Sequence, residues 1–193
     1  LKIYTFDPEP INTEYMTTLG SKDAFGNSND ILVTDDRHKF FPYAMSGEDG
    51  KTTFHRSRND CPEGRDVGRY SGSIRKPVTM IESPKYGKRW PGCLFDEEVE
   101  VETRTIDSVC AENDIKHIDF IWMDTQGAER DVLSGANDML PNIDYIYTEY
   151  YDEEMYENCA GLQEIKFLLP RFQLVQTWTY GDADGGDALF KRI

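Results

Sequence analysis

Three carboxylates follow apolar or aromatic runs in this chain: Asp7 after "KIYTF", Asp124 after "FIWM", and Glu149 at the end of "IDYIYT". A carboxylate at a strand end can accept hydrogen bonds from hydroxyls, offset a cation, or take a proton as general base. Singly, each reads equally well as a solvated strand end or a helix N-cap. Their shared placement is what counts, because ligands of an open α/β sheet sit outside the carboxyl ends of its strands. Glu129, about one helical turn beyond Asp124, is a further candidate base, or a carboxylate that complements the helix dipole. His55 and His117 rank behind it, since a lone histidine is more often structural.

Strands and helices must alternate for these carboxylates to meet. "KIYTFDPEP" predicts a strand stopped by Pro8 and Pro10, with a short helix through Tyr15, Met16 and Leu19. "DILVTDD" and "HKFFPYAMS" each suit a short strand, and Gly47 to Gly50 turn the chain into extended "KTTFHRS". "EVEVETRT" alternates strictly, as a half-buried strand does, and Asp107 is expected to cap a helix through Val109 and Cys110. "HIDFIWM" is expected to be a central strand buried on both faces. Ala128, Val132, Leu133, Ala136, Met139 and Leu140 then fall at helical spacing, and Pro141 closes that helix. Strand "IDYIYTEYY", helix "LQEIKFLL" ended by Pro170, and strands "FQLVQTWTY" and "DALFKRI" joined across "GDADGG" complete the pattern. The expected fold is α/β, a doubly wound, mostly parallel, Rossmann-like sheet with a C-terminal antiparallel hairpin.

At 193 residues the chain suits a single domain, and no apolar run approaches the roughly 18 residues of a membrane span. No charged-then-apolar leader opens the sequence. Cys61, Cys93, Cys110 and Cys159 lack metal or redox spacing, so no metal site is expected and the thiols read as reduced, in a cytoplasmic protein. A net charge of -15 would repel a phosphate backbone and argues against nucleic acid as a partner. Against that background residues 56–98 read as a basic loop excursion, with nine basic and four acidic side chains between Arg56 and Arg89. Loops of that length are commonly functional or disordered.

Several motifs resemble the FkbM family of S-adenosylmethionine-dependent methyltransferases. "YTFDPEP" is similar to the family's aromatic-acid-proline segment, "YAMSGEDGKTTFH" to its third strand and turn, and "SGSIRKP" to the serine-rich stretch beyond. The most specific part is "VETRTIDSVCAENDIKHIDFIWMDTQGAERDVLSGANDML", with its Thr-x-Asp helix start, central strand, Asp-x-(Glu/Gln)-Gly-x-Glu element and Leu-x-Gly-Ala helix in order. The resemblance implies a class I methyltransferase fold that binds S-adenosyl-L-methionine and methylates a hydroxyl. Asp7, beside Pro8, would accept from the ribose hydroxyls, and Ala44, Met45 and Ser46 would line the adenine. Asp124, Thr125 and Gln126 would meet the methionine end, with Asp124, Glu129 and Glu149 as the catalytic acids. Gln126 departs from the glutamate of many relatives and carries one charge less.

The implied acceptor is a small molecule or glycan, best a sugar hydroxyl, with or without a phosphate. Tyr70, Tyr86 and Trp90 could stack on a sugar ring, and Arg75, Lys76 and Arg89 could hold a phosphate. A non-catalytic glycan- or protein-binding module with the same fold is the alternative. Such a methyltransferase also needs a central first strand and a glycine-rich loop, and neither precedes Leu1. The 193 residues are therefore expected to be the C-terminal part of a longer polypeptide, with an upstream segment of the same chain filling the sheet between "KIYTF" and "FIWM".

Overall fold

The computed structural model describes residues 1–10, 12–13, 37–59, 71–78, 82–83, 87–88, 93–179 and 185–193. Eleven strands and three α-helices are defined among them. Strand β1 (Ile3–Phe6) pairs in parallel with β2 (His38–Phe41), Ile3 opposite His38 and Phe6 opposite Phe41. The Phe6 and Phe41 rings stack at 5.3 Å, a cross-strand aromatic pair that supports so short a ladder. The helix expected beyond Thr13, the segment "DILVTDD" and most of the "GDADGG" turn lie outside the described residues.

A second unit is a long antiparallel ribbon of β4 (Gly50–Asn59) and β7 (Cys93–Arg104), with β3 (Ala44–Met45) added in parallel to β7. Alternation in "EVEVE" works as expected: Val99 and Val101 turn inward with Ala44, Phe54 and Ile74, while Glu98, Glu100 and Glu102 face solvent. Both ends of the expected basic loop are thus ribbon, since β4 runs to Asn59 and β7 starts at Cys93. Within the connection, β5 (Glu82–Ser83) and β6 (Gly87–Lys88) form a small antiparallel pair.

The largest core lies under a four-stranded mixed sheet ordered β10 (Phe172–Thr179), β11 (Gly185–Arg192), β9 (Ile143–Tyr151), β8 (Ile118–Met123). Only β8–β9 is parallel; β9–β11 and β11–β10 are antiparallel. Helices α1 (Ile106–Glu112), α2 (Glu129–Ser134) and α3 (Leu162–Leu168) contribute Ile106, Val132, Leu133 and Ile165 to a core shared with Met123, Ile146 and Phe190. The fold is therefore α/β, but the described sheets are mixed and strand-rich rather than one parallel sheet.

Three local expectations change. "FIWM" is not a strand buried on both faces: among the described residues β8 pairs only with β9, and Phe120 and Trp122 are 50% and 74% exposed. Thr105, not Asp107, caps α1, its hydroxyl accepting from the Ser108 N–H at 3.0 Å. The Asp107 carboxylate instead accepts from the Asp138 and Met139 N–H groups and pins the chain after α2. Helix α2 stops at Ser134, because Gly135 crosses so close to Ser46 that an added Cβ would lie 2.3 Å from the Ser46 carbonyl oxygen. Pro141 consequently sits inside a separate 3-10 turn, Leu140–Asn142.

Candidate functional site

A cavity of about 190 Å³ opens where the carboxyl ends of β1, β3 and β8 converge. Asp7 and Pro8 form its wall after β1, Ala44 and Met45 its floor from β3, and Asp124, Thr125 and Gln126 its wall after β8. Strand-end residues almost 120 positions apart thus border one space. Ser46 is not among them; its N–H bonds the Arg104 carbonyl and its side borders a separate polar cleft with Asp49, Asp131 and Ser134.

Asp7 is held from both sides. Its Oδ1 accepts from the Glu9 N–H at 2.9 Å and its Oδ2 from the Asn12 amide at 2.7 Å. A carboxylate offers about four acceptor positions, so each oxygen keeps capacity for a ligand hydroxyl. Burial pushes the Asp7 pKa up, and the Glu9 N–H and Asn12 amide pull against it. Glu9, itself buried, bonds Arg56 at 2.7 Å, and Arg56 also bonds Glu97, which fastens the segment after β1 to the β4–β7 ribbon.

The opposite wall is a polar network. The Gln126 amide nitrogen donates to Asp124 Oδ1 at 2.6 Å and to Glu149 Oε2 at 3.1 Å, while Tyr156 donates to Gln126 Oε1 at 2.9 Å. Tyr151, on the same strand as Glu149, donates to Glu149 Oε2 at 2.5 Å. The backbone makes this possible: Gln126 and Gly127 have φ of 53° and 92°, and Gly127 packs under Tyr156. Ser73 then donates to the Gln126 carbonyl at 2.7 Å.

Glu129 belongs to the loop and not to the cavity wall. It is fully buried, and its Oε1 accepts from the Thr125 N–H and hydroxyl at 3.0 Å each and from the Gly127 N–H at 3.3 Å. Among the described residues its Oε2 has no hydrogen-bond partner. Burial pushes the Glu129 pKa up to about 7, against the pull of those hydrogen bonds.

Other expected residues are dispersed. Arg75 is committed to Asp131, with its Nε 2.6 Å from Oδ2 and a second bond to Oδ1, while Lys76 is exposed. Tyr70, Tyr86, Arg89 and Trp90 lie outside the described residues. His55 pairs with Glu98 at 3.2 Å, and exposed His117 pairs with Asp144 at 3.0 Å. His117, Asp119 and Asp144 have ligand atoms within 4.8 Å of one another and could hold a cation, but Arg192 already bonds Asp144 at 2.7 Å. Tyr43, Phe54 and Ile74 line the cavity and Tyr156 bonds Gln126 behind it, and no sequence pattern singles them out. Tyr151 had a weak signal, since it lies two positions beyond Glu149 and shares its strand face.

The arrangement offers hydroxyl acceptors at Asp7, flat apolar surface at Tyr43, Phe54 and Met45, and negative charge at Asp124. Those acceptors and apolar surfaces could hold a nucleoside bearing a cationic group. In sequence comparison the profile of the "Methyltransferase FkbM domain" matches residues 2–174. A protein from Sinorhizobium fredii (strain NBRC 101917 / NGR234), 2-O-methyltransferase NoeI, is 39% identical over 157 residues, which are 81% of this chain and 60% of that protein. The chain therefore spans less than two thirds of that relative's length. No solved structure matches it. Motifs, profile and relative agree over most of the sequence, and the chain belongs to the FkbM methyltransferase family.

Proposed function

We propose that this chain is an S-adenosyl-L-methionine-dependent O-methyltransferase acting on a hydroxyl of a sugar or glycan. The observation that carries the reading is the single cavity bounded by Asp7 after β1 and Asp124 after β8. Asp7 would hold the ribose hydroxyls beside Pro8, Ala44 and Met45 would lie against the adenine, and Asp124, Thr125 and Gln126 would meet the methionine end. The bound donor supplies an activated methyl group on a positive sulfur. The chain's own contribution is to orient the acceptor hydroxyl, exclude water and accept the departing proton. Glu149, linked to the cavity wall through Gln126, suits that proton better than Glu129, whose buried carboxyl holds the loop. The relative's name, 2-O-methyltransferase, supports oxygen as the methylated atom.

At about 190 Å³ the cavity is smaller than the roughly 300 Å³ at which small-molecule sites begin. The proposal therefore includes a doubly wound sheet in which a further strand lies beside β8, whose second edge is unpaired among the described residues, and walls the site. Lys76 and Arg89, with Tyr70 and Trp90, remain the proposed acceptor contacts; Arg75 supports them through Asp131. Calorimetric titration with S-adenosylhomocysteine, followed by a methyl-transfer assay on sugars and sugar nucleotides, tests the reading. Binding with transfer to a sugar hydroxyl supports it. Absence of binding favours a non-catalytic glycan- or protein-binding module.

A further inference from the structure

Glu129 carries a carboxyl that the sequence marks as a candidate base, yet the side chain is wholly buried and stands behind the cavity wall. Thr125, Gln126 and Ala128 line the cavity, and Glu129 follows them as the first residue of α2. Gln126 and Gly127 both take left-handed φ, 53° and 92°, and a turn of this kind gathers backbone N–H groups around one concavity. Glu129 fills that concavity from within the chain. Its Oε1 accepts from the Thr125 and Gly127 N–H groups at 3.0 and 3.3 Å, and from the Thr125 hydroxyl at 3.0 Å. Its neighbours do not replace it: Ala128, at the N-cap, makes no side-chain cap bond, and Asp131 is taken by Arg75.

We propose that Glu129 is a positioning residue for the cavity: as a hydrogen-bond acceptor, its Oε1 fixes the turn 125–127 and so sets the wall that Thr125 and Gln126 present to a ligand. The carboxyl touches no ligand itself. The methyltransferase reading is needed only for the identity of that ligand. Thr125 gives both of its donors to Glu129, so it meets the ligand by shape and not by donating a hydrogen bond. The rest of the turn has separate ties, since Ser73 donates to the Gln126 carbonyl at 2.7 Å and Gly127 packs under Tyr156. Among the described residues the Thr125 N–H is held by Glu129 alone. Because Oε2 has no hydrogen-bond partner among those residues, one acceptor atom does the holding, and the requirement is reach rather than charge.

Reach and charge are separated by two variants, Glu129→Gln, which keeps the length and loses the charge, and Glu129→Asp, which keeps the charge and is one methylene shorter. Circular dichroism checks that both fold. Amide hydrogen exchange read by NMR needs no ligand, with Thr125 and Gly127 taken relative to Ile146 and Ala188 in the sheet core so that a change in global stability cancels. In Glu129→Asp the two turn amides should exchange at least about tenfold faster, and in Glu129→Gln they should stay within about threefold of wild type. Turn amides that are equally protected in both variants overturn the proposal. Calorimetry then measures S-adenosylhomocysteine binding per folded molecule, where Glu129→Asp should lose about tenfold in affinity and Glu129→Gln should stay within about threefold. A folded Glu129→Asp protein with fast turn amides and wild-type affinity reduces Glu129 to a structural tie and overturns the positioning role. The reverse ranking, with Asp retaining affinity and Gln losing it, makes charge the requirement and overturns it as well. Failure of the wild type to bind S-adenosylhomocysteine counts against the methyltransferase reading, and the exchange rates then decide by themselves whether Glu129 sets the wall.

Discussion

Asp7 and Glu129 show how burial gives one functional group two different meanings. Asp7 keeps acceptor capacity toward a cavity, so Asp7→Ala should weaken S-adenosylhomocysteine binding by about 1 to 3 kcal/mol with the fold intact. Calorimetry on the folded variant measures this directly, and unchanged affinity would leave Asp7 as a turn residue for Glu9 and Asn12. Glu129 instead lends itself to a stability measurement. Its carboxyl has an ordinary value of 4.5 and is raised to about 7 in the folded chain, so the folded state binds the extra proton. Its contribution is complete below pH 4.5 and is lost as pH rises through about 7, on the order of 3 kcal/mol in all. Urea unfolding of wild type and Glu129→Gln across that window should show the wild type weakening more steeply with pH, and parallel curves would contradict the raised value. The shared placement of Asp7 and Asp124 on one cavity was legible because each follows an apolar run at a strand end, whereas Glu149 reaches that wall only through Gln126. The engagement of Glu129 with Thr125 and Gly127 was not legible, because helical spacing locates a carboxyl on the chain without saying which way its loop folds.

Element boundaries record where tertiary contacts override local pattern. The apolar spacing from Ala128 to Leu140 read as one helix, yet α2 ends at Ser134 because Gly135 must pass against the Ser46 carbonyl. Alternation in β7 and the apolar run of β9 were legible, since both elements bury the faces their sequences announce. The run in β8 misled, because apolarity reports the propensity to be covered and not what covers it. The turn between β8 and α2 is the element most intolerant of change. A side chain at Gly127 would place its Cβ 2.6 Å from that of Tyr156, at a φ of 92° that L-residues avoid. Gly127→Ala should therefore cost upward of about 2 kcal/mol in chemical denaturation. A loss below about 0.5 kcal/mol would mean that the turn relaxes freely.

Across the whole molecule, charge is segregated: in a chain of net charge -15, the stretch from Arg56 to Arg89 carries nine basic side chains and only four acidic ones. Replacing Lys76, Lys88 and Arg89 with Gln should raise the Michaelis constant for a phosphate-bearing acceptor, more so at low salt, and leave cofactor affinity unchanged. Arg75→Gln should act differently and lower stability by about 1 kcal/mol, because a partly exposed Asp131 loses its partner. Kinetics at two ionic strengths beside a melting curve separate the two, and equal loss of cofactor affinity would sink the division. The four-stranded sheet carries a consequence for synthesis as well. Its strands lie in the order β10, β11, β9, β8, so β11, the latest of these four along the chain, is an inner one, with Ala188 and Phe190 almost wholly buried between neighbours on both sides. During translation β9 and β10 each wait, one edge open, for residues 185–192 to leave the ribosome. These four strands join into one sheet only after β11 inserts, and until then the facing edges of β9 and β10 stay open to wrong pairing.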